Sequence, residues 1–374
     1  MSQTAVAPAV PAKKARLDAV DGVRGLMALM IVLNHWSTGN AWGRFGWTGL
    51  YNLLEIFFMI SGFFIALSAL KPKPWDPAVV VDHITKRADR LWLHYLFSVF
   101  LVFALMAVMA VMRGSFDGNY GLLDAAIKNY HTEGFSLNLF KNIFLLQAFS
   151  IQHYEINYNY PGWSLSVEVF GGAVLFAVLS RFKAQAAWIT AFFGFFFWVL
   201  LQHDYSSLEV HVQEYNSFVV AGLLRFFMDA CVGAFIFTQV SKIHWSKKWA
   251  VLEPLVWIAM LYILWRPDSP HSAKDYMMLL FGGLFVIMLT KPESLSQKIF
   301  STAPFKFLGK YSLSVFLFHA PILMLLQWLN VFQHNQGIMM LVDKVLVLVV
   351  VLILVVILEK TYFTLREKFN WKIG

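Results

Sequence analysis

Charge is scarce in this 374-residue chain: Asp, Glu, Lys and Arg make up 14% of it, against about 25% in an average soluble domain. A chain so poor in charge and 59% hydrophobic belongs mostly in a bilayer. Cysteine is almost missing. Cys231 stands alone, which excludes a disulfide within the chain and any metal cluster built on cysteines. Its place in an apolar run reads as a small buried hydrophobe. Internal repeats and inverted-repeat symmetry are absent too. The first 16 residues lack the apolar core and small-residue cleavage site of a signal peptide; Ala- and Pro-rich and ending in Lys13, Lys14 and Arg16, they read as a disordered cytosolic tail.

The net charge of +8 invites a nucleic-acid reading, but its distribution speaks for membrane topology and against nucleic acid. Hydropathy predicts an all-α, polytopic bundle of about ten transmembrane helices near 24–38, 47–70, 91–112, 162–180, 186–203, 217–240, 250–265, 276–290, 311–331 and 338–360, about 20 apolar residues being needed to cross the hydrocarbon core. With the N-terminus inside, most of the 30 Lys and Arg residues fall on the cytosolic side. The other side receives Arg44, Arg113, Lys128, Lys141, Arg266, Lys274 and Lys344. By the positive-inside rule both termini are cytosolic. Residues 17–366 form one transmembrane domain without a soluble appendage, and 367–374 a cytosolic C-terminal tail. In the long external segment 113–161, residues 137–149 read as a helix lying at or dipping into the interface.

Ionisable residues inside such spans are expensive and mark functional candidates. The first stands in Asp21-Gly22-Val23-Arg24-Gly25, followed by an apolar run to Asn34-His35. Eleven helical residues rise about 16 Å and return to within about 20° of the starting direction, so Arg24 and His35 project from one face, Arg24 toward the cytosol and His35 in the outer half. Histidine is the side chain best suited to proton transfer near neutral pH; a hydrogen-bonded packing residue is the equally open reading. Arg87 and Arg90 share a helix face at the cytosolic mouth of the third span. Two guanidiniums there suit a phosphate, or simply anionic lipid head groups. Glu55 and Glu168 fall in the outer halves of their spans, at depths comparable to His35. Either can orient that histidine or make a helix-to-helix salt bridge, Arg225 being a partner at hand. Ser61, Ser164 and Ser166 lie in no nucleophile-elbow pattern and read as structural. His319, about 12 Å into the ninth span, is a pathway or support residue. Trp163 belongs with the aromatic residues that flank spans. No metal-ligand spacing exists among the remaining histidines, so no metal is expected.

Taken in order, these segments resemble the acyltransferase 3 family of bacterial membrane acyltransferases. The resemblance is carried by Asp-Gly-x-Arg-Gly reaching His35, Phe57-Phe58-Met59-Ile60-Ser61-Gly62-Phe63, the Arg87/Arg90 pair, Trp163-Ser164-Leu165-Ser166-Val167-Glu168, and the late Tyr311-Ser312 to His319 segment, over about 17–360. It implies O-acyl transfer in the bacterial inner membrane, from cytosolic acyl-CoA to a hydroxyl of a cell-envelope or exported carbohydrate or glycolipid. Acetyl-CoA is the default donor, a substrate and not a bound cofactor. His35 is then general base or transient acyl carrier. Arg24, Arg87 and Arg90 bind the donor, and Glu168 supports the outer site. Asp21, Glu55, Ser61, Trp163, Ser166 and His319 are supporting residues. Asp89, between the two arginines, departs from the pattern and weakens the local positive potential. With no fused extracytoplasmic esterase-like domain, the chain must acylate its acceptor directly or through a separate extracytoplasmic partner. The competing reading is a transporter or flippase of lipid-linked sugars. Against it stands the lack of paired Gly/Pro-broken helices.

Overall fold

A computed structural model describes residues 13–36, 49–112, 135–149, 158–210, 213, 215–216, 218–265, 273–332, 334 and 337–371. Among them the regular structure is helical, the nearest thing to a strand being one isolated bridge between Phe149 and Val219. The helices are α1 (Lys13–His35), α2 (Leu53–Ala69), α3 (Pro77–Met112), α4 (Phe135–Ile143), α5 (Gly162–Arg181), α6 (Ala186–Asp204) and α7 (Ala221–Gln239). They continue with α8 (Lys247–Ala250), α9 (Glu253–Leu264), α10 (Met278–Leu289), α11 (Leu295–Phe300), α12 (Ala303–Lys310), α13 (Ser312–Trp328) and α14 (Gly337–Lys368).

Among the described residues six helical segments are long and apolar enough to cross a membrane: 50–69, 77–109, 162–181, 183–204, 221–242 and 337–368. The pair α12 and α13, bent by 61°, makes a seventh if it counts as one span. The ten expected from hydropathy are not all there as helices of crossing length. The 12-residue helices α9 and α10 rise only about 18 Å, well short of a core about 30 Å thick. The tails also differ from expectation. Helix α1 already begins at Lys13 and α14 runs to Lys368, while residues 1–12 and 372–374 lie outside the described ones.

The apolar run of α1 is wrapped in protein. Val23, Met27, Ala28, Ile31 and Val32 are all buried. That explains how a helix bearing Asp18, Asp21 and Arg24 can be central. Its neighbours approach to backbone contact, which only glycine permits. A Cβ on Gly25 would lie 2.3 Å from the Leu308 carbonyl carbon, and one on Gly309 2.5 Å from that of Asp21. The same device joins α2 to α7, where a Cβ on Gly233 would fall 1.8 Å from the Met59 oxygen. Small residues at such crossings let membrane helices gain dispersion contacts that bulkier ones would forbid. By contrast α6 and α14 turn Trp188, Phe192, Phe195, Ile353 and Ile357 outward, the surface lipid would cover.

The sequence expected an interfacial helix at 137–149. It is a shorter helix, α4, followed by turns that tuck a polar edge against α3 and α5. Asn142 Oδ1 accepts from the Tyr95 hydroxyl at 3.2 Å and from Gln147 Nε2 at 3.3 Å. Ser166 Oγ accepts from the Ala148 amide at 2.9 Å and donates to the Leu145 carbonyl. Ser166 therefore splices this segment to α5, the structural role its context suggested.

Candidate active site

A proline decides where the central histidines sit. Pro321 lies inside α13 and has no amide hydrogen, so the carbonyl of Leu317 loses its helical donor. Asn159 supplies one: its Nδ2 donates to Leu317 O at 3.0 Å and to Ser98 Oγ at 2.6 Å. The chain just before α5 is thereby pinned to α13. Its next residue, Tyr160, stands edge-on to both histidines, 4.5 Å from the ring centre of His35 and 5.6 Å from that of His319, at 79° to each. Burial holds the Tyr160 phenol above its ordinary pKa, so it stays protonated.

His35 Nδ1 and His319 Nε2 are 2.9 Å apart. The rings are parallel within 1° with centres 5.1 Å apart. That separation is the N···N distance plus a ring radius of about 1.1 Å on each side, so the rings lie edge to edge in one plane, aligned for an N–H to meet a lone pair. His319 Nδ1 is 3.1 Å from the Val315 carbonyl, and a carbonyl only accepts. With both rings neutral, the tautomers follow. His319 carries its proton on Nδ1 and accepts on Nε2; His35 donates from Nδ1 and keeps its lone pair on Nε2.

Arg24, eleven residues before His35, opens on a cavity of about 370 Å³ together with Arg90, Lys306 and Lys310. Asp18 and Asp21 share it, paired with Lys306 at 2.6 Å and more loosely with Arg24 at 3.8 Å. Burial raises the Asp21 carboxyl above the usual carboxylate value, with Arg24 partly opposing. Arg90 makes no hydrogen bond among the described residues and is exposed to this basin. Beyond it a slot of about 40 Å³ shares Arg24, Ser312 and Leu313 with the basin and runs between Phe57 and Phe316 to Glu168. Phe316 in turn lies 6.1 Å from His319, ring centre to ring centre. The basin, the slot and the histidine pair follow one line along α1 and α13.

Other residues fall differently from expectation. Glu168 does not reach His35. It accepts from Arg87 Nη2 at 2.6 Å and from the Ser61 hydroxyl, at the level of Arg87. The reason is register: antiparallel α3 and α5 set Tyr95 against Gly162 and Arg87 against Gly172, so a residue two turns into α5 meets the arginine. Arg87 and Arg90 therefore part company, one held in a buried pair and the other facing the basin. Asp89 bonds Arg366 and turns its charge toward α14, away from the arginines it was expected to weaken. Glu55 is fully buried and clamped by Arg225, whose Nε donates at 2.9 and 3.1 Å while its Nη2 reaches the Tyr51 carbonyl at 3.0 Å. It is a brace between α2 and α7. Trp163 packs edge-on to Phe58.

A family model described as an acyltransferase domain matches residues 17–360. The chain belongs to the acyltransferase 3 family. No curated protein and no solved structure matches it. Membership makes this an acyltransferase, and its long apolar helices make it a multi-pass membrane protein. The segments that carried the acyltransferase 3 resemblance converge in space: α1 and α13 supply the histidine pair, and α2 and α5 the walls of the slot. Three features escaped the sequence reading. Tyr160 and Asn159 lie in a run of Asn and Tyr without periodicity, and Lys306 and Lys310 had looked like topology-setting charges only. A proline two residues after a span histidine was the available signal, since it leaves a carbonyl that something must satisfy.

Proposed function

We propose that this acyltransferase 3 protein moves an acyl group, acetyl by default, from cytosolic acyl-CoA to a hydroxyl of a cell-envelope or exported carbohydrate in the bacterial inner membrane. The observation that carries the reading is the hydrogen-bond chain from Val315 O through His319 to His35. It leaves His35 Nε2 as the ring nitrogen able to take a proton. The acceptor hydroxyl attacks the thioester carbonyl while His35 Nε2 removes its proton. The tetrahedral adduct then expels the thiolate, which takes that proton back from Nε2. Ester and free thiol result, with no net change at the histidine. His319 plays the part an aspartate plays in a serine-protease triad, fixing tautomer and ring orientation, but without a negative charge.

The basin supports the donor half of the reading. Arg24, Arg90, Lys306 and Lys310 against two aspartates leave a net positive site, and arginine suits phosphate oxygens geometrically. The charge distribution of the sequence assigns this end to the cytosol, where the coenzyme is. Glu168 lines the slot, held there by Arg87. Asp21 tunes the basin's charge, and Ser61, Glu55, Ser166 and Trp163 hold the framework. Substituting His35 by Ala tests the proposal. Acyl modification of the envelope glycan should vanish while protein level and export of the unmodified glycan persist; arrested export would overturn it in favour of transport. Purified protein should consume acetyl-CoA only with His35 intact.

A further inference from the structure

A second cavity, of about 330 Å³, opens where the end of α2, the start of α3 and the end of α5 meet. Lys71, Lys73, Lys86 and Lys183 line it, against Asp76 and Asp82. Both acids have partners. Asp76 accepts from the Ala78 amide at 2.8 Å, and Asp82 pairs with Lys86 at 2.8 Å. Lys183 is anchored, donating to the carbonyls of Lys71 and Lys73 at 2.7 and 2.5 Å, so the loop that carries those two lysines is tied to α5. Lys71 and Lys73 themselves have no acid partner among the described residues and stand exposed. On the wall, His83 lies flat on Phe176, ring centres 3.7 Å apart at 4°, and its Nε2 is buried with no hydrogen-bond partner.

The cavity's rim is apolar and faces outward. Trp75 and Val79 line it and are 46% and 40% exposed, and Phe182, beside Lys183, is 47% exposed; the Arg181 guanidinium sits 5.4 Å over Trp75 and 5.5 Å over Phe182. Aromatic and basic residues at one level are what a membrane interface collects. Basic pockets between transmembrane helices at the cytosolic face suit anionic head groups.

We propose that this cavity binds the phosphate of an anionic phospholipid, its chains lying over Trp75, Val79 and Phe182. A soluble phosphate would use the lysines but not the exposed apolar ledge that continues from them, and this continuity favours lipid. The inference uses the predicted cytosolic orientation and does not depend on acyl transfer, so its failure would leave the acyltransferase reading untouched.

The test uses the full chain in phosphatidylcholine nanodiscs doped with phosphatidylglycerol, the bound lipid being counted by native mass spectrometry. Each lysine near a membrane surface contributes about fivefold in affinity for anionic lipid. The double variant Lys71→Gln/Lys73→Gln should therefore retain phosphatidylglycerol about 25-fold more weakly. The control Lys247→Gln/Lys248→Gln, which removes two lysines assigned to the same side but outside the cavity, should retain it as the parent does. Equal retention by the Lys71/Lys73 variant overturns the proposal. So does displacement of the lipid by millimolar inorganic phosphate or adenosine 3′,5′-bisphosphate, which would assign the cavity to soluble anions.

Discussion

Replacing His319 separates a working histidine pair from two buried rings that merely pack. His319→Ala removes the acceptor that meets His35 Nδ1 at 2.9 Å and with it the contact that fixes the His35 tautomer. During proton transfer that hydrogen bond is made to an imidazolium, and a hydrogen bond to a charged group contributes about 1.5–3 kcal/mol, which is about 10- to 150-fold in kcat. The loss should stay below the roughly 10⁴-fold seen when a triad loses its carboxylate partner, because His319 brings no charge. His319→Gln restores a carbonyl acceptor and should recover most of the activity. Thiol release from acetyl-CoA, with an envelope-glycan fraction as acceptor, gives kcat and KM for each variant, and thermal unfolding in detergent confirms that they fold. Residues acting as one unit are non-additive. His35→Ala/His319→Ala should thus be no slower than His35→Ala alone. Multiplicative losses in the double variant, or an unimpaired His319→Ala, would refute the coupled pair.

The donor basin should respond in KM. Arg90→Ala should raise KM for the acyl donor about 10- to 100-fold with little change in kcat, since it removes a charge-assisted contact; an unchanged KM would remove the basin from donor binding. Breaking the buried brace by Arg225→Ala leaves Glu55 uncompensated and should destabilise the fold by about 3–5 kcal/mol, whereas Glu55→Gln/Arg225→Met should recover much of it, read as melting temperature. At the α1–α12 crossing, Gly25→Ala drives a Cβ to 2.3 Å from backbone and should cost about 1–3 kcal/mol, while Gly283→Ala meets only Ile236 Cδ1 at 3.4 Å and a more distant methyl and should be silent. Asn159→Ala orphans the Leu317 carbonyl, at about 1–3 kcal/mol, and should lower kcat as well by releasing Tyr160 from the histidines.

Much of this arrangement was legible in the chain. The eleven-residue interval that aims Arg24 and His35 the same way is a property of one helix, and one helix is what periodicity reports. Glu168 was misplaced for the complementary reason. Its depth was counted along α5 alone, but its partner is set by the register of α5 against α3, and that register depends on Tyr95 meeting Gly162. The span count is less legible where hydropathy cannot distinguish lipid from protein as the apolar surroundings. Residues 25–33 satisfy either, and only the glycines against Leu308 and Asp21 show which. Tyr160 was hidden because its position is dictated by a missing amide on a different helix.

With both rings neutral, the resting histidine pair carries no net charge. A carboxylate in the place of His319 would be a permanent ion in the membrane-buried core, and the membrane potential would act on it at all times, at about 2.3 kcal/mol per charge per 100 mV for a full crossing. Two neutral rings bonded to each other and anchored at the Val315 carbonyl give the field nothing to act on at rest. Any response of the pair itself to membrane voltage is then confined to the proton-transfer step proposed for it.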